Sequence, residues 1–399
     1  MKKFFYVAIA ATALASCSSD QLVDLKEGDE IKFTAVADND SRASKIYCNN
    51  NLPESFQLYA ATSTGTKFIT DEMYKFNTDA YKSTSTKRYW PENDALNFYA
   101  IQNAPVTTWE PAESLAGTFT PNATVANQVD FIYAVKEGIK KSDATNGNVS
   151  LNFRHALSQI EFNAKNENPN LKIEILGVKV GRVAATADYV IEATDALTNT
   201  DGTIVDHTQK GTNTINSLIT WSGWTLNDGS YEIETSLTLE GVSSGDLSEV
   251  TTEGENVDSE GDAYTKDYKK SMLLLPQTTT AWAPATTNDK GAFLAVKVCI
   301  WNVVDDGEEV QEVLLYGDAK PDVDGYEGRW AAVPVDIEWK EGYKYIYTFN
   351  FTNGGNAGYE DTNNDGEPEN VAVLVPMSVS ISVDDFTNGT TTTENMVKE

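Results

Sequence analysis

The chain has 399 residues, with 60 acidic side chains against 30 basic ones and a formal net charge of −30. A field of that sign repels phosphate backbones and argues against nucleic-acid partners. Three cysteines rule out a disulfide framework, and His155 and His207 are the whole supply of imidazole, so neither a histidine-built metal centre nor a catalytic base is well provided for.

The N-terminus reads as an export signal. Lys2 and Lys3 precede an apolar run from Phe4 to Ala15, which ends in Leu14-Ala15-Ser16-Cys17, the order of a lipobox. A membrane-spanning helix needs roughly 20 apolar residues, and this run stops short. Residues 1–16 are therefore expected to be cleaved, leaving Cys17 as an acylated first residue. Several acyl chains on one residue anchor a protein stably to a membrane. Residues 17–28 are short, polar and acidic, which suits a tether.

Strand-like alternation starts at Ile31-Lys32-Phe33-Thr34-Ala35 and returns at Phe56–Leu58, Leu96–Phe98 and Val149–Phe153. It continues through Leu171–Ile175, Ile233–Leu239, Phe293–Trp301 and Tyr343–Phe351, with no long helical period anywhere. The parity shifts between Leu157 and Ile160, and again across Leu176-Gly177-Val178, as it does where a bulge or a change of sheet bends a strand. The chain is too long for one ordinary sandwich and comfortable for two. The turn-rich Asn166-Glu167-Asn168-Pro169-Asn170 is the expected division, giving an N-terminal domain at 29–167 and a C-terminal domain at 168–399. Within the second, Gly241 to Lys270 is rich in Ser, Gly, Thr, Asp and Glu and is expected to be a long exposed insertion. The predicted class is all-β, built from sandwiches.

Near the C-terminus, Val371, Val373, Val375, Met377, Val379, Ile381 and Val383 share one parity of a single extended segment. This segment is either the last strand of its own domain or a strand added to another subunit's sheet, where backbone bonds give affinity and alternate side chains fill pockets. Residues 384–399 form a Thr-rich polar tail, expected to lack a further strong strand.

Several of these pieces together are similar to the fimbrillin family of Bacteroidales. They are the lipobox, Ile31–Ala35 leading to Ser41-Arg42-Ala43, Tyr89-Trp90-Pro91, Leu96-Asn97-Phe98-Tyr99-Ala100, Asp130-Phe131-Ile132-Tyr133-Ala134, the run Leu151–Ile160, and Glu341-Gly342-Tyr343-Lys344-Tyr345. The resemblance implies two tandem transthyretin-like β-sandwich domains, a lipidated precursor at the outer membrane, and polymerisation by strand exchange. It also implies a maturation protease cutting after Arg42, with Lys45 as the less favoured site. Such a cut would release the strand carrying Ile31, Phe33 and Ala35 and leave an apolar groove for a neighbour's strand, with Val371–Val383 as the candidate donor. Expected partners are other fimbrial subunits and a surface receptor. The polar residues past Val383 depart from the family's stalk pattern.

Other constellations carry less. Asp361, Asn363, Asp365 and Glu367 alternate oxygen-bearing side chains in the manner of a calcium loop, but Ala372 stands where the closing Glu would be, so an acidic turn is the favoured reading and calcium the weaker one. No other cofactor is implied. Tyr343, Tyr345, Tyr347, Phe349 and Phe351 form an aromatic ladder expected in a core. Trp221 and Trp224 are expected to cover a sandwich end, and His155 to be a satisfied core residue. Carboxylate pairs such as Asp305-Asp306 and Asp384-Asp385 are too common here to mark a glycosidase. The sequence thus points to a non-enzymatic surface subunit, with a glycan-binding uptake lipoprotein as the rival.

Overall fold

The structure, a computed structural model, describes residues 30–37, 52–111, 113–192, 218–225, 229–248, 256–257, 263–264, 271–283, 290–305, 307, 309–319, 326–351, 359–360, 377–385 and 388–394. Strands run through nearly all of it, joined by turns and two single-turn 3-10 helices at Val125–Asn127 and Lys141–Asp143. The first strands are β1 (Lys32–Ala37), β2 (Ser55–Thr62), β3 (Lys67–Asn77), β4 (Ala80–Ser83), β5 (Leu96–Gln102), β6 (Thr108–Glu110), β7 (Ser114–Phe119), β8 (Ile132–Ile139) and β9 (Asn148–His155). Next come β10 (Ser158–Asn166), β11 (Leu171–Val183), β12 (Ala187–Glu192), β13 (Ile219–Ser222), β14 (Gly229–Glu240), β15 (Ser243–Asp246), β16 (Asn256–Val257) and β17 (Ala263–Tyr264). The chain continues with β18 (Met272–Leu274), β19 (Gln277–Thr279), β20 (Phe293–Asp305), β21 (Val310–Tyr316), β22 (Asp318–Ala319) and β23 (Tyr326–Glu327). It closes with β24 (Arg329–Pro334), β25 (Ile337–Trp339), β26 (Tyr343–Phe351), β27 (Tyr359–Glu360), β28 (Met377–Asp385) and β29 (Asn388–Glu394).

The first seven-stranded sheet, in order β1-β4-β3-β2-β5-β8-β9, closes into a barrel because β9 pairs back onto β1. Its interior holds Phe33, Phe56, Leu58, Tyr74, Phe98, Ile132, Leu151 and Phe153, all essentially without solvent contact. The outer face of β2, β5 and β8 is buried as well: Tyr59, Tyr99, Ile101, Tyr133 and Val135 pack under a second sheet, β13-β12-β7-β6. Burial on both faces explains why Leu96-Asn97-Phe98-Tyr99-Ala100-Ile101 is an almost unbroken apolar run and not a strict alternation.

The larger core lies between two further sheets, one ordered β15-β10-β26-β28-β29 with β18 also on β10, the other β14-β11-β20-β24-β27 with β21 also on β20. The aromatic ladder of β26 points inward: Tyr345, Tyr347, Phe349 and Phe351 are buried in this core, while Tyr343 is 37% exposed at the strand's start. Met272 and Leu274 enter the same core, whereas Leu273 and Leu275, of opposite parity, enter the core beneath β13-β12-β7-β6. This short stretch of leucines ties the two regions together.

Where the parity shifts, the backbone changes partners. Between His155 and Ser158 the chain leaves the barrel for the sandwich, and between Ile175 and Gly177 the register of β11 slips against both β14 and β20. The turn at Asn166–Asn170 is locally stitched by its own amides, Asn168 N to Asn166 Oδ1 at 2.9 Å and Asn170 N to Asn168 Oδ1 at 3.0 Å. It connects two strands of one sandwich, though, and β12 and β13, which follow it, hydrogen-bond back with β7. The structural seam therefore does not coincide with a cut at 167/168, because sheet membership here is not sequential.

Two further expectations change. The region from Gly241 to Lys270 is not wholly an exposed insertion: β15 pairs with β10, and Leu247 is fully buried. The polar tail contains β29, which pairs with β28 at Ile381, Ser382, Val383 and Asp385. Its Thr run supplies β-branched residues that favour an extended backbone.

Candidate functional site

β1 occupies an unusual place. It lies parallel to β9 over six residue pairs, Lys32 opposite Asn148 through Ala37 opposite Phe153, and meets β4 through Phe33 opposite Tyr81. It is the sole bridge between β4 and β9 in the described sheet, so the barrel is closed by this strand alone. A parallel neighbour close to the N-terminus must be laid against a strand far along the chain, which is why no hairpin signal announces it.

The side chains follow the expected parity. Ile31 and Phe33 are buried at 1% and 0% exposure, Ala35 is partly buried against the same core, and Thr34 faces out. Phe33 sits edge-on to Tyr74 and Phe98, with ring centroids 5.2 Å away in each case, and to Phe56 at 6.1 Å. Phe56 in turn contacts Tyr81 at 4.9 Å and Phe153 at 5.3 Å. Burying Ile31 and Phe33 is worth roughly 1.5–3 kcal/mol each. Without β1, these rings would line an apolar groove flanked by the backbone edges of β4 and β9.

The entrance to this slot is charged. Ile31 N donates to Arg88 O at 2.7 Å, Lys32 N donates to Gly147 O at 3.1 Å, and Glu30 pairs with Lys87 at 3.6 Å. Arg88 also reaches Glu72 at 2.7 Å, and the same carboxylate accepts hydrogen bonds from Ser83 and Ser85. Burial alone would raise the Glu72 carboxyl, but the Arg88 charge and these hydrogen bonds outweigh it and hold Glu72 below the usual range. Burial, reinforced by Glu72, pushes the Tyr74 phenol well above its ordinary value.

The candidate donor stretch divides. Val371, Val373 and Val375 lie outside the described residues, whereas Met377, Val379, Ile381 and Val383 are on β28. Met377 and Val379 are buried in the sandwich core, Ile381 and Val383 pack against it, and β28 matches β26 from Tyr343 opposite Asp385 to Phe351 opposite Met377. In this conformation, these residues complete their own sheet.

Cys17, Arg42, Lys45, Asp361, Asn363, Asp365 and Glu367 also lie outside the described residues, as do Cys48 and His207. Among the described residues no cluster of three or more His, Cys, Asp or Glu is placed to hold a metal ion. Cys299 is fully buried on β20. His155 Nδ1 meets Asp130 Oδ2 at 2.9 Å, both side chains being buried. Trp221 packs between Phe131 and Tyr189, while Trp224 is 38% exposed and donates to Pro276 O at 3.3 Å.

Sequence reasoning found the strand but not the groove walls. Phe56, Tyr74, Tyr81, Phe98 and Phe153 come from five strands, and Tyr81 sits in the four-residue β4, too short to show a period. Glu72 and Arg88 were equally invisible among so many charges; the buried position of Glu72 was the only distinguishing signal, and it is structural.

The family profile described as Fimbrillin-like matches residues 24–369. Among solved structures, a fimbrial protein from Bacteroides vulgatus aligns over 90% of this chain and 100% of its own, at 15% identity and a TM-score of 0.49. The tip fimbrial protein Mfa3 from Porphyromonas gingivalis, with a C-terminal truncation, aligns over 89% of this chain and 99% of its own, at 10% identity and a TM-score of 0.35. No curated protein sequence matches significantly. With the family profile extending over most of its length, the chain belongs to the fimbrillin-like family of fimbrial proteins.

Proposed function

We propose that this chain is a structural, non-enzymatic subunit of a cell-surface fimbria that assembles by exchanging β1 for a strand of a neighbouring subunit. The observation that carries the reading is the closing position of β1: one short strand, buried through Ile31 and Phe33, seals a barrel that is otherwise complete. A strand entering the vacated slot would regain the β9 edge and the pockets of Ile31, Phe33 and Ala35, as strand addition does elsewhere.

In this account the precursor is exported, acylated at Cys17 and held at the outer membrane. A protease then cuts after Arg42, or less favourably after Lys45, releasing anchor and β1 together. Donation of Val371–Val383 is compatible with this scheme only if β28 peels from β26 or if the part before Met377 does the inserting. Peeling exposes Met377 and Val379, so the acceptor slot must return more than that loss. Adhesion to a surface receptor would be the task of the assembled fibre.

Limited trypsin digestion of the purified chain tests the proposal. Loss of the segment through Arg42 should be followed by a ladder of oligomers stable in mild detergent. A digested chain that stays monomeric with its barrel reclosed, or an undigested chain that polymerises equally well, would overturn it.

A further inference from the structure

A cleft of about 350 Å³ lies apart from the β1 slot, where the end of β5, the end of β7, the turn before β8 and Leu273 of β18 converge. Its volume falls at the lower end of the roughly 300–1,000 Å³ typical of small-ligand sites. Its chemistry is out of keeping with the rest of the molecule. None of its lining side chains is charged, although 23% of the chain is charged and the net charge is −30.

The walls are held in place by bonds between distant segments. The buried Gln128 side chain donates from Nε2 to Asn122 O at 3.0 Å and accepts at Oε1 from Leu273 N at 2.7 Å. Asn103 adopts a left-handed backbone (φ 63°), and its side chain donates to Asp130 O at 2.9 Å. Asparagine is among the non-glycine residues that adopt this conformation most readily. Pro105 is fixed from below, because Tyr189 Oη donates to its carbonyl at 2.7 Å. Gly117 permits this approach: a Cβ there would stand 2.1 Å from Pro105 O and 2.8 Å from Tyr189 Oη.

What this frame presents is an alternation of amides and hydroxyls with apolar steps. Asn122 and Asn127 carry their amides at an exposed rim, Asn122 Oδ1 accepting from Thr124 N at 2.9 Å; the Thr120 hydroxyl shares a 2.7 Å hydrogen bond with that of Thr186, and Val129, 39% exposed, supplies an apolar edge. Amides offer donors and acceptors together, and a hydroxyl offers both. That set matches a ligand whose own groups are uncharged hydroxyls on a pyranose ring. It does not match an anion, which would need a cationic side chain, nor a metal ion, which would need carboxylates.

We propose that this cleft binds the end of an uncharged oligosaccharide. The proposal does not depend on strand exchange, since no cleft residue belongs to β1, β4 or β9. It would give the subunit a receptor-binding site on the outer sheet, clear of the slot used for assembly.

The test is saturation-transfer NMR on the purified full-length chain, in a detergent without a sugar headgroup, against a panel of neutral oligosaccharides that includes maltotetraose and lacto-N-tetraose. Sialylated lacto-N-tetraose serves as the charged comparison. Transfer to at least one neutral probe is expected, weaker transfer to the sialylated one, and loss of the signal in Val129→Trp, which fills the mouth from an exposed position. Asn127→Ala should weaken binding by up to about tenfold, the worth of one hydrogen bond. Unchanged thermal unfolding in both variants confirms that the fold is intact. Transfer to no neutral probe, equal transfer in Val129→Trp, or stronger binding of the sialylated probe would each overturn the assignment.

Discussion

Replacing Phe33 with alanine is the perturbation that β1 should feel most. The ring is fully buried, with three aromatic neighbours between 5.2 and 6.1 Å from its centroid. Removing such a side chain costs about 3–5 kcal/mol, part transfer and part cavity. At 1.4 kcal/mol per factor of ten, β1 should detach about two to three and a half orders of magnitude more often. The loss should be local, because the sandwich core of Phe162, Ile175, Val296 and Phe349 shares no residue with the barrel interior. Native-state hydrogen exchange reads this directly. Amides of β9 from Val149 to Phe153, together with the β1 amides themselves, should lose protection in Phe33→Ala, while those of β10, β11 and β20 keep it. An even loss of protection across both regions, or none in β9, would refute the idea that β1 is a separable closing piece.

Other perturbations address the rest of the fold. Met377→Ala should cost about 2–5 kcal/mol of sandwich stability by urea unfolding, because the side chain is fully buried opposite Phe351; a silent substitution would mean that β28 is not needed by its own sheet. Gly181→Ala sets a Cβ within 2.1 Å of the Phe293 ring, so overpacking of about 1–3 kcal/mol is expected, read as a lowered melting temperature. Glu72 has a lowered folded-state pKa, so the unfolded chain takes up its proton first as the pH falls. Its stabilising contribution is complete above the ordinary value of 4.5 and is lost as the pH drops through the folded value. Glu72→Gln should therefore lower stability near neutrality and flatten the acid limb of the stability–pH curve; wild-type and variant curves running parallel below pH 4.5 would show that Arg88 does not hold that carboxylate.

Much of the architecture was legible because burial leaves a period. Strands with one buried face, such as Tyr343–Phe351, show themselves by alternation, and even the slip in β11 was visible as a change of parity at Gly177. What could not be read was which strand meets which. The parallel pairing of β1 with β9 and the return of β12 to β7 join segments about 70 to 120 residues apart, and no local propensity encodes such partners. The same blindness hid the groove walls and the cleft beside Gln128, whose sides come from four separate places in the chain. The tail misled for a different reason: the polarity of Asn388–Glu394 reads as solvent, yet Thr392 and Thr393 lie in a strand that pairs with β28.

The most direct measurement is mass-spectrometric peptide mapping of filaments sheared from the cell surface. If the barrel is finished by a neighbour's strand, the assembled subunit starts at Ala43 and the peptide spanning Ile31 to Ala37 is missing. Recovery of that peptide at one copy per subunit, still joined to an acylated Cys17, would contradict the account.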